Sequence, residues 1–196
     1  YSVGYDGTTS FRPGTRFGPS SIREHSYALE TYCPNLKEDI EEINFVDMGA
    51  LKINFGAPET VINKVKIATN KLIDLDLKPI ILGGEHTISI GSISAFSEKF
   101  KDLIVLQVDA HADLRNEWLG SKYSHACTMR RCLENLPSQK LFQLGIRSGT
   151  KEEFAELKSE NRLVSINKND KNLYLENALK PYLGSPLYIT IDLDWF

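Results

Sequence analysis

The chain has 196 residues, of which 41% are hydrophobic and 25% are charged, and its formal net charge at pH 7 is -3. This length suits one domain with a sizeable core, so residues 1–196 are expected to form a single domain. The composition excludes a disordered chain, and no apolar stretch approaches the ~18 residues that span a bilayer. With a small negative charge and no basic block, the sequence offers no electrostatic basis for binding nucleic acid.

The periodicity of apolar residues predicts strands and helices that alternate along the chain. In chain order, the predicted elements are a strand at 1–5, a loop rich in Gly, Pro and Thr at 6–19, a helix at 20–30 capped by Ser20, a strand at 43–47, a helix at 60–75, a strand at 79–82, a helix at 87–100, a strand at 103–108, a helix at 126–136, a strand at 141–146, a helix at 152–158, a strand at 162–166, a helix at 173–182 and a strand at 187–191.

This alternation predicts an α/β fold of three layers, with a mainly parallel sheet covered by helices on both faces. The strand at 103–108 is apolar except for Gln107, as expected where both faces are covered. Right-handed crossovers place the carboxyl ends of parallel strands along one edge of the sheet. In open α/β sheets that edge is where ligands bind.

Six polar side chains follow three of the predicted strands. They are His86; Asp109, His111 and Asp113; and Asp192 and Asp194. If the backbone after Val108 stays extended, residues at i, i+2 and i+4 point the same way, so Asp109, His111 and Asp113 would converge. The glycines before His86, Gly83 and Gly84, would permit a sharp turn and a close approach of another backbone.

Each of these residues alone is explained by a turn or a helix cap, but the set is not. Carboxylates crowded at one sheet edge repel each other and are costly to desolvate, and a cation removes that cost. Carboxylates and imidazoles without thiolate favour Mn²⁺, Fe²⁺ or Zn²⁺. Six ligands exceed the three protein ligands of a mononuclear catalytic zinc, so a two-metal site with bridging aspartates is predicted.

The three cysteines, Cys33, Cys127 and Cys132, form no CxxC pair, and we interpret them as reduced thiols of a cytoplasmic protein. Arg147 and Ser148 are predicted to lie in a solvated loop. The chain begins at Tyr1 without Met and stops at Phe196 just after a predicted strand. We therefore expect it to be incomplete at both ends.

Three ordered motifs resemble the ureohydrolase family of arginase, agmatinase and their relatives. They are Gly83-Gly84-Glu85-His86, Asp109-Ala110-His111-Ala112-Asp113 and Asp192-Leu193-Asp194. The loop from Tyr5 to Pro19 and the segments Asp113-Leu114-Arg115 and Tyr123-Ser124-His125-Ala126-Cys127 look like the agmatinase branch in particular. The resemblance covers nearly the whole chain and implies an arginase-like fold.

The resemblance also implies two Mn²⁺ ions bridged by a hydroxide that attacks the guanidinium carbon of a small-molecule substrate. By position, one ion would be held by His86, Asp109, Asp113 and Asp192, and the other by His111, Asp109, Asp192 and Asp194. Asp109 and Asp192 would bridge. Asp113 would also pass a proton to the leaving amine, and His125 would shuttle protons. From the sequence alone, His125 could equally be a residue that begins a helix.

Arg115 stands where arginases carry an asparagine for the substrate's α-carboxylate, which favours agmatine, with putrescine and urea as products. Guanidinobutyrate and arginine stay open as substrates. Two alternatives are a metal-binding but non-catalytic homologue and a deacetylase of similar architecture that uses one zinc. The family glutamate that pairs with the guanidinium would fall after Phe196. The family further suggests a homo-oligomer, a trimer or a hexamer. No membrane partner is expected, because no apolar stretch is long enough to span a bilayer.

Overall fold

Five parallel strands form the main sheet of the computed structural model, which describes residues 1–54 and 56–196. In chain order they are β5 (Ile104–Val108), β6 (Leu141–Leu144), β7 (Leu163–Ser165), β8 (Leu173–Tyr174) and β9 (Leu187–Ile191), and their spatial order is β8-β7-β6-β5-β9. A separate parallel pair joins β1 (Ser2–Val3) to β4 (Leu82–Gly83), and an antiparallel pair joins β2 (Tyr32–Cys33) to β3 (Glu38–Asp39).

Helices connect these strands. They are α1 (Gly18–Ser26), α2 (Pro58–Asp74), α3 (Ile88–Lys99), α4 (Thr128–Cys132), α5 (Lys151–Ser159) and α6 (Leu175–Leu179). Short 3-10 turns lie at Thr15–Phe17, Ile40–Glu42, His125–Cys127, Ser138–Lys140, Lys180–Tyr182 and Leu193–Trp195. Within the described ranges, no helix combines the length and the hydropathy that a bilayer span requires.

Two apolar clusters lie against opposite faces of the main sheet. Leu103 and Val105 pack with Ile93, Met129 and Leu157, which α3, α4 and α5 supply. The alternate residues Ile104, Leu106 and Val108 pack with Ala178 of α6. Because successive strand residues point to opposite faces, the apolar run of β5 is buried on both sides. The predicted α/β architecture of a parallel sheet covered on both faces is therefore confirmed.

Several predicted elements match closely, since β9 coincides with the predicted strand at 187–191 and α2 nearly fills 60–75. Ser20 was wrongly predicted as a cap, because α1 already begins at Gly18 with Pro19 in its first turn, where the fixed φ of proline favours the helix. That helix also ends at Ser26 rather than near residue 30. The predicted helix at 126–136 divides into a 3-10 turn and the short α4.

The predicted strand at 43–47 is absent from the described structure. Ile43, Phe45 and Val46 are exposed, so this apolar run does not face a core, and the bridge to Ser2 is made by Ala50 instead. Conversely, 173–174 was predicted as the start of a helix but forms β8. Leu173 and Tyr174 pair with β7, and this pairing outweighs the helical pattern that resumes at Leu175.

Candidate metal centre

Three strand ends bring the polar clusters together. Strands β5 and β9 are neighbours, and their last residues, Val108 and Ile191, are in register, so the segments after them leave the sheet side by side. His86 arrives from the turn between β4 and α3. There Gly84 approaches the segment after β1 so closely that a Cβ would lie 2.0 Å from the Tyr5 carbonyl oxygen, as its place in the motif predicted. The three segments line one cleft of about 560 Å³.

The candidate ligands form two groups that share one residue. His86, Asp109 and Asp192 make the first group, and Asp109, His111 and Asp194 make the second. Within each group, one potential ligand atom per residue lies within 4.8 Å of the others. We call them the inner group and the outer group. The structure thus brings five of the six predicted ligands into two groups that could each hold a cation.

Two members of the inner group, His86 and Asp109, are buried, and Asp192 is half-buried. The His86 ring nitrogen Nδ1 lies 3.2 Å from Asp109 Oδ2 and 2.7 Å from Asp113 Oδ2. Its other nitrogen, Nε2, lies 2.9 Å from the Thr190 hydroxyl. This second contact fixes the ring so that Nδ1 faces the carboxylates. The sixth predicted ligand, Asp113, therefore adjoins the inner group through His86.

Burial and charge act in opposite directions on these groups. Burial alone would lower the pKa of His86, but hydrogen bonds to Asp109 and Asp113 raise it well above its usual value. Burial raises the pKa of Asp113 and of Asp192, and contact with the His86 charge only partly offsets this effect. Burial would also raise the pKa of Asp109, but the hydrogen bond and the charge of His86 outweigh burial, so the pKa of Asp109 is lowered. Such a cluster gains from any added positive charge.

The outer group is more open. The His111 side chain is 53% exposed and that of Asp194 is 43% exposed, and His111 Nδ1 lies 2.8 Å from Asp194 Oδ2. Asp109 contributes its other oxygen, Oδ1, which lies 3.8 Å from His111 Nδ1. The backbone N–H of His111 donates to this Oδ1 at 2.6 Å. The two oxygens of Asp109 therefore face the two groups, as a bridging carboxylate requires.

The backbone does not stay extended through the central motif, so that expectation was wrong. Asp113 has φ of 53°, a left-handed conformation, and its carbonyl accepts from the backbone N–H of Arg130. This turn directs the Asp113 carboxylate to His86 while the His111 side chain remains exposed. Alternation along a strand therefore does not explain the convergence, which depends on the turn at Asp113.

His125 lies at the same cleft, at the start of the 3-10 turn His125–Cys127. Its Nδ1 is 2.9 Å from the backbone carbonyl of Thr8, and because a carbonyl only accepts, Nδ1 carries the hydrogen. The Thr8 hydroxyl donates to the buried carboxylate of Glu85 at 2.6 Å. Burial raises the pKa of Glu85, and these Thr8 contacts partly oppose that effect. The glycine-rich loop, the Glu85 turn and His125 are thus connected.

Arg115 and Arg147 border the site. The Arg115 guanidinium lies 4.0 Å from the centre of the Trp118 ring, and its Nε is 4.0 Å from Glu153 Oε2. Arg147 is exposed, as expected for a loop residue, but it also donates to the carbonyl oxygens of Asp194 at 2.5 Å and of Trp195 at 3.1 Å. It therefore supports the turn that carries Asp192 and Asp194.

Sequence reasoning missed the residues that support the candidate ligands. Thr190 stands two positions before Asp192 on β9 and so shares its face, a signal that could have indicated contact with the site. Thr8 offered no comparable signal within a loop of many polar residues. The cysteines stay outside the two groups, and Cys33, Cys127 and Cys132 carry free thiols. The donor set of carboxylates and imidazoles thus fits Mn²⁺, Fe²⁺ or Zn²⁺.

Fold and site together define a class: an α/β protein with a candidate binuclear metal centre at the carboxyl edge of a parallel sheet. A model of the arginase family matches residues 1–196. The chain therefore belongs to the arginase family.

Curated relatives and solved structures agree with this membership. Agmatinase from Bacillus subtilis is 38% identical over 194 residues, which cover 99% of this chain and 66% of the relative. The N(1)-aminopropylagmatine ureohydrolase of Thermococcus kodakarensis is 36% identical over 196 residues, with 99% and 66% covered. The crystal structure of agmatine ureohydrolase from Thermoplasma volcanium matches with a TM-score of 0.83 at 30% identity, over 98% of this chain and 65% of that one. The chain thus spans just under two thirds of these proteins.

Proposed function

We propose that this protein is a metal-dependent ureohydrolase that hydrolyses agmatine to putrescine and urea. The observation that carries the proposal is Asp109, whose two oxygens face two groups that could each hold a cation. The names of the relatives support the reaction class, since Bacillus cereus and Bacillus subtilis proteins at 37% and 38% identity are agmatinases. We further propose a single domain, a cytoplasmic location and a homo-oligomer, a trimer or a hexamer.

The proposed ligand roles follow the two groups. His86, Asp109, Asp113 and Asp192 would hold one Mn²⁺, and His111, Asp109, Asp192 and Asp194 the other. The inner group and the His86–Asp113 contact support the first set, and the outer group supports the second. When bound, two such cations would supply a hydroxide nucleophile, because they lower the pKa of bound water far below that of bulk water.

Residues of the cleft are proposed to accommodate the positively charged substrate. A guanidinium is always charged and is a poor electrophile, so it must be held where its charge is tolerated. The carboxylates of Asp109, Asp113, Asp192 and Asp194 at the cleft would offset the positive charge of the two cations, so that the guanidinium meets no net positive charge there.

Two residues are proposed to move protons. Hydrolysis forms a C–O bond, breaks a C–N bond and leaves an amine that needs a proton. Asp113, which lies at the cleft and contacts His86, is the proposed donor. His125 keeps its hydrogen on Nδ1 toward Thr8, so in the neutral ring Nε2 has the lone pair and can exchange protons with solvent.

The proposal is tested with the full-length protein loaded with Mn²⁺. Urea release would be measured with agmatine, guanidinobutyrate and arginine. We add aminopropylagmatine because a relative at 36% identity acts on it by name. We expect the highest kcat/KM with agmatine. Binding of two ions without urea release from any of these compounds would contradict the proposed activity and favour the non-catalytic homologue. Binding of one zinc ion would favour the deacetylase alternative.

A further inference from the structure

Two glutamines lie side by side in the centre of the sheet. Gln107 on β5 and Gln143 on β6 are in register, and both are 0% exposed. A buried amide is costly unless its polar atoms are hydrogen-bonded. Strands buried on both faces are otherwise apolar here, so the glutamines need a reason beyond packing. Their hydrogen bonds supply one.

The acceptors around these side chains determine how the amides are oriented. Gln107 Nε2 donates to Asp109 Oδ2 at 2.8 Å and to the His111 carbonyl at 3.1 Å. Gln143 Nε2 donates to the Ala112 carbonyl at 2.9 Å and to Gln107 Oε1 at 2.5 Å. Carboxylates and carbonyls only accept, so each amide must turn its NH₂ group toward the central motif. The pair therefore has one orientation.

These contacts converge on the segment that carries three candidate ligands. The pair fixes one carboxylate oxygen of Asp109 and the carbonyls of two successive residues, His111 and Ala112. The turn at Asp113, with φ of 53°, follows directly. Asp109 Oδ2 accepts one hydrogen bond from Gln107, and Oδ1 accepts one from the His111 backbone. Oδ1 keeps a further lone pair for a cation, and that of Oδ2 faces His86 Nδ1 at 3.2 Å, a contact that a cation held by both residues would replace.

We propose that Gln107 is a positioning residue that orients Asp109 for binding two cations, and that Gln143 holds Gln107 in place. The proposal rests on the metal centre of the proposed function. A neutral amide suits this task, because a lysine or arginine at the same place would compete with the cations for Asp109. A glutamate there would repel it. Hydrogen bonding from the amide fixes the carboxylate and leaves its charge available.

The test replaces each amide by an apolar side chain of similar length. Gln107→Met and Gln143→Met would be made in the full-length protein, stripped of metal with chelator, and titrated with Mn²⁺ by calorimetry. Residues that orient metal ligands typically change metal affinity by about 10–100-fold when replaced. We expect that loss in Gln107→Met and a smaller loss in Gln143→Met, which keeps the contact between Gln107 and Asp109. Leu106→Met, on the opposite face of β5, is the matched control and should bind as wild type.

Thermal unfolding of the metal-free proteins separates positioning from packing. If Gln107→Met is less stable but binds Mn²⁺ within about twofold of wild type, Gln107 is only a packing residue and the proposal is wrong. Should that variant fail to fold, a folded Gln143→Met with unchanged Mn²⁺ affinity would overturn the proposal equally. Failure of the metal centre itself looks different, since the wild-type protein would then bind no divalent ion.

Discussion

The inner and outer groups share Asp109 but are built differently. Both ring nitrogens of His86 contact buried side chains, those of Asp113 and Thr190. In contrast, His111 and Asp194 are about half exposed and are supported by backbone contacts, including the Ala110 N–H to Asp194 Oδ1 at 3.1 Å. The inner group is therefore preorganised by the core. The outer group depends on two turns that meet at the edge of the sheet.

The largest effect is expected where the two groups meet. Asp109→Asn removes the charge that both groups share, so we expect both ions to be lost and urea release to fall by more than about 100-fold. Metal content by elemental analysis and urea release under Mn²⁺ saturation would be measured together. Retention of two ions at a normal rate would refute the bridging role.

A pair of histidine variants compares the groups directly. His86→Asn leaves Asp109 and Asp113 buried without their partner, so we expect the metal-free protein to lose about 3 kcal/mol of unfolding free energy. His111→Asn changes an exposed side chain and should stay within about 0.5 kcal/mol of wild type. Each variant should bind one ion fewer. Urea denaturation and elemental analysis provide both readings, and equal losses of stability would contradict the difference between the groups.

His125 lies outside both groups, so replacing it tests proton transfer separately from metal binding. His125→Asn should lower kcat by about 10²-fold, because a positioned proton carrier contributes at least that much. Its metal content should equal that of wild type. Glu85→Gln is a useful companion, since it weakens the Thr8 anchor of His125 without removing the ring. Loss of metal in His125→Asn would show that the residue is a ligand.

Sequence reasoning predicted the buried half of the molecule better than its surface. Strands β5 and β6 were found because their apolar runs face two cores. The apolar run of β9 was found as well, although Leu187, Ile189 and Ile191 are exposed there. The strand predicted at 43–47 was wrong because a short apolar run such as Ile43, Phe45 and Val46 does not show whether a sheet partner exists. β8 was missed because Leu173 and Tyr174 pair with the edge of β7, although their own sequence pattern is helical.

The candidate site shows the same division. The six candidate ligands were proposed from their places after strands, but the way in which the structure brings them to one cleft was not predictable. The left-handed turn at Asp113 comes from backbone contacts made with segments distant in sequence, such as the N–H of Arg130. Thr190 contacts His86, 104 positions away in sequence, which one sequence does not display. Gln107 contacts Asp109 only two positions further on, and its polar side chain in an apolar strand was a signal that the sequence did carry. Local chemistry was therefore predictable, and tertiary support was not.

The smallest effect is expected at Arg147, which supports only the outer group. Its guanidinium donates to the carbonyls of Asp194 and Trp195, so Arg147→Lys keeps the charge and loses the fork. We expect Mn²⁺ affinity to fall roughly fivefold for one ion, the size of one modest hydrogen bond. Arg147→Ala loses the same bonds but also removes a positive charge that repels cations, so its affinity should fall less. A larger loss in Arg147→Ala than in Arg147→Lys would mean that the charge, rather than the fork, holds the turn. Unchanged affinity in both variants would show that the outer group is as firmly held by the core as the inner group.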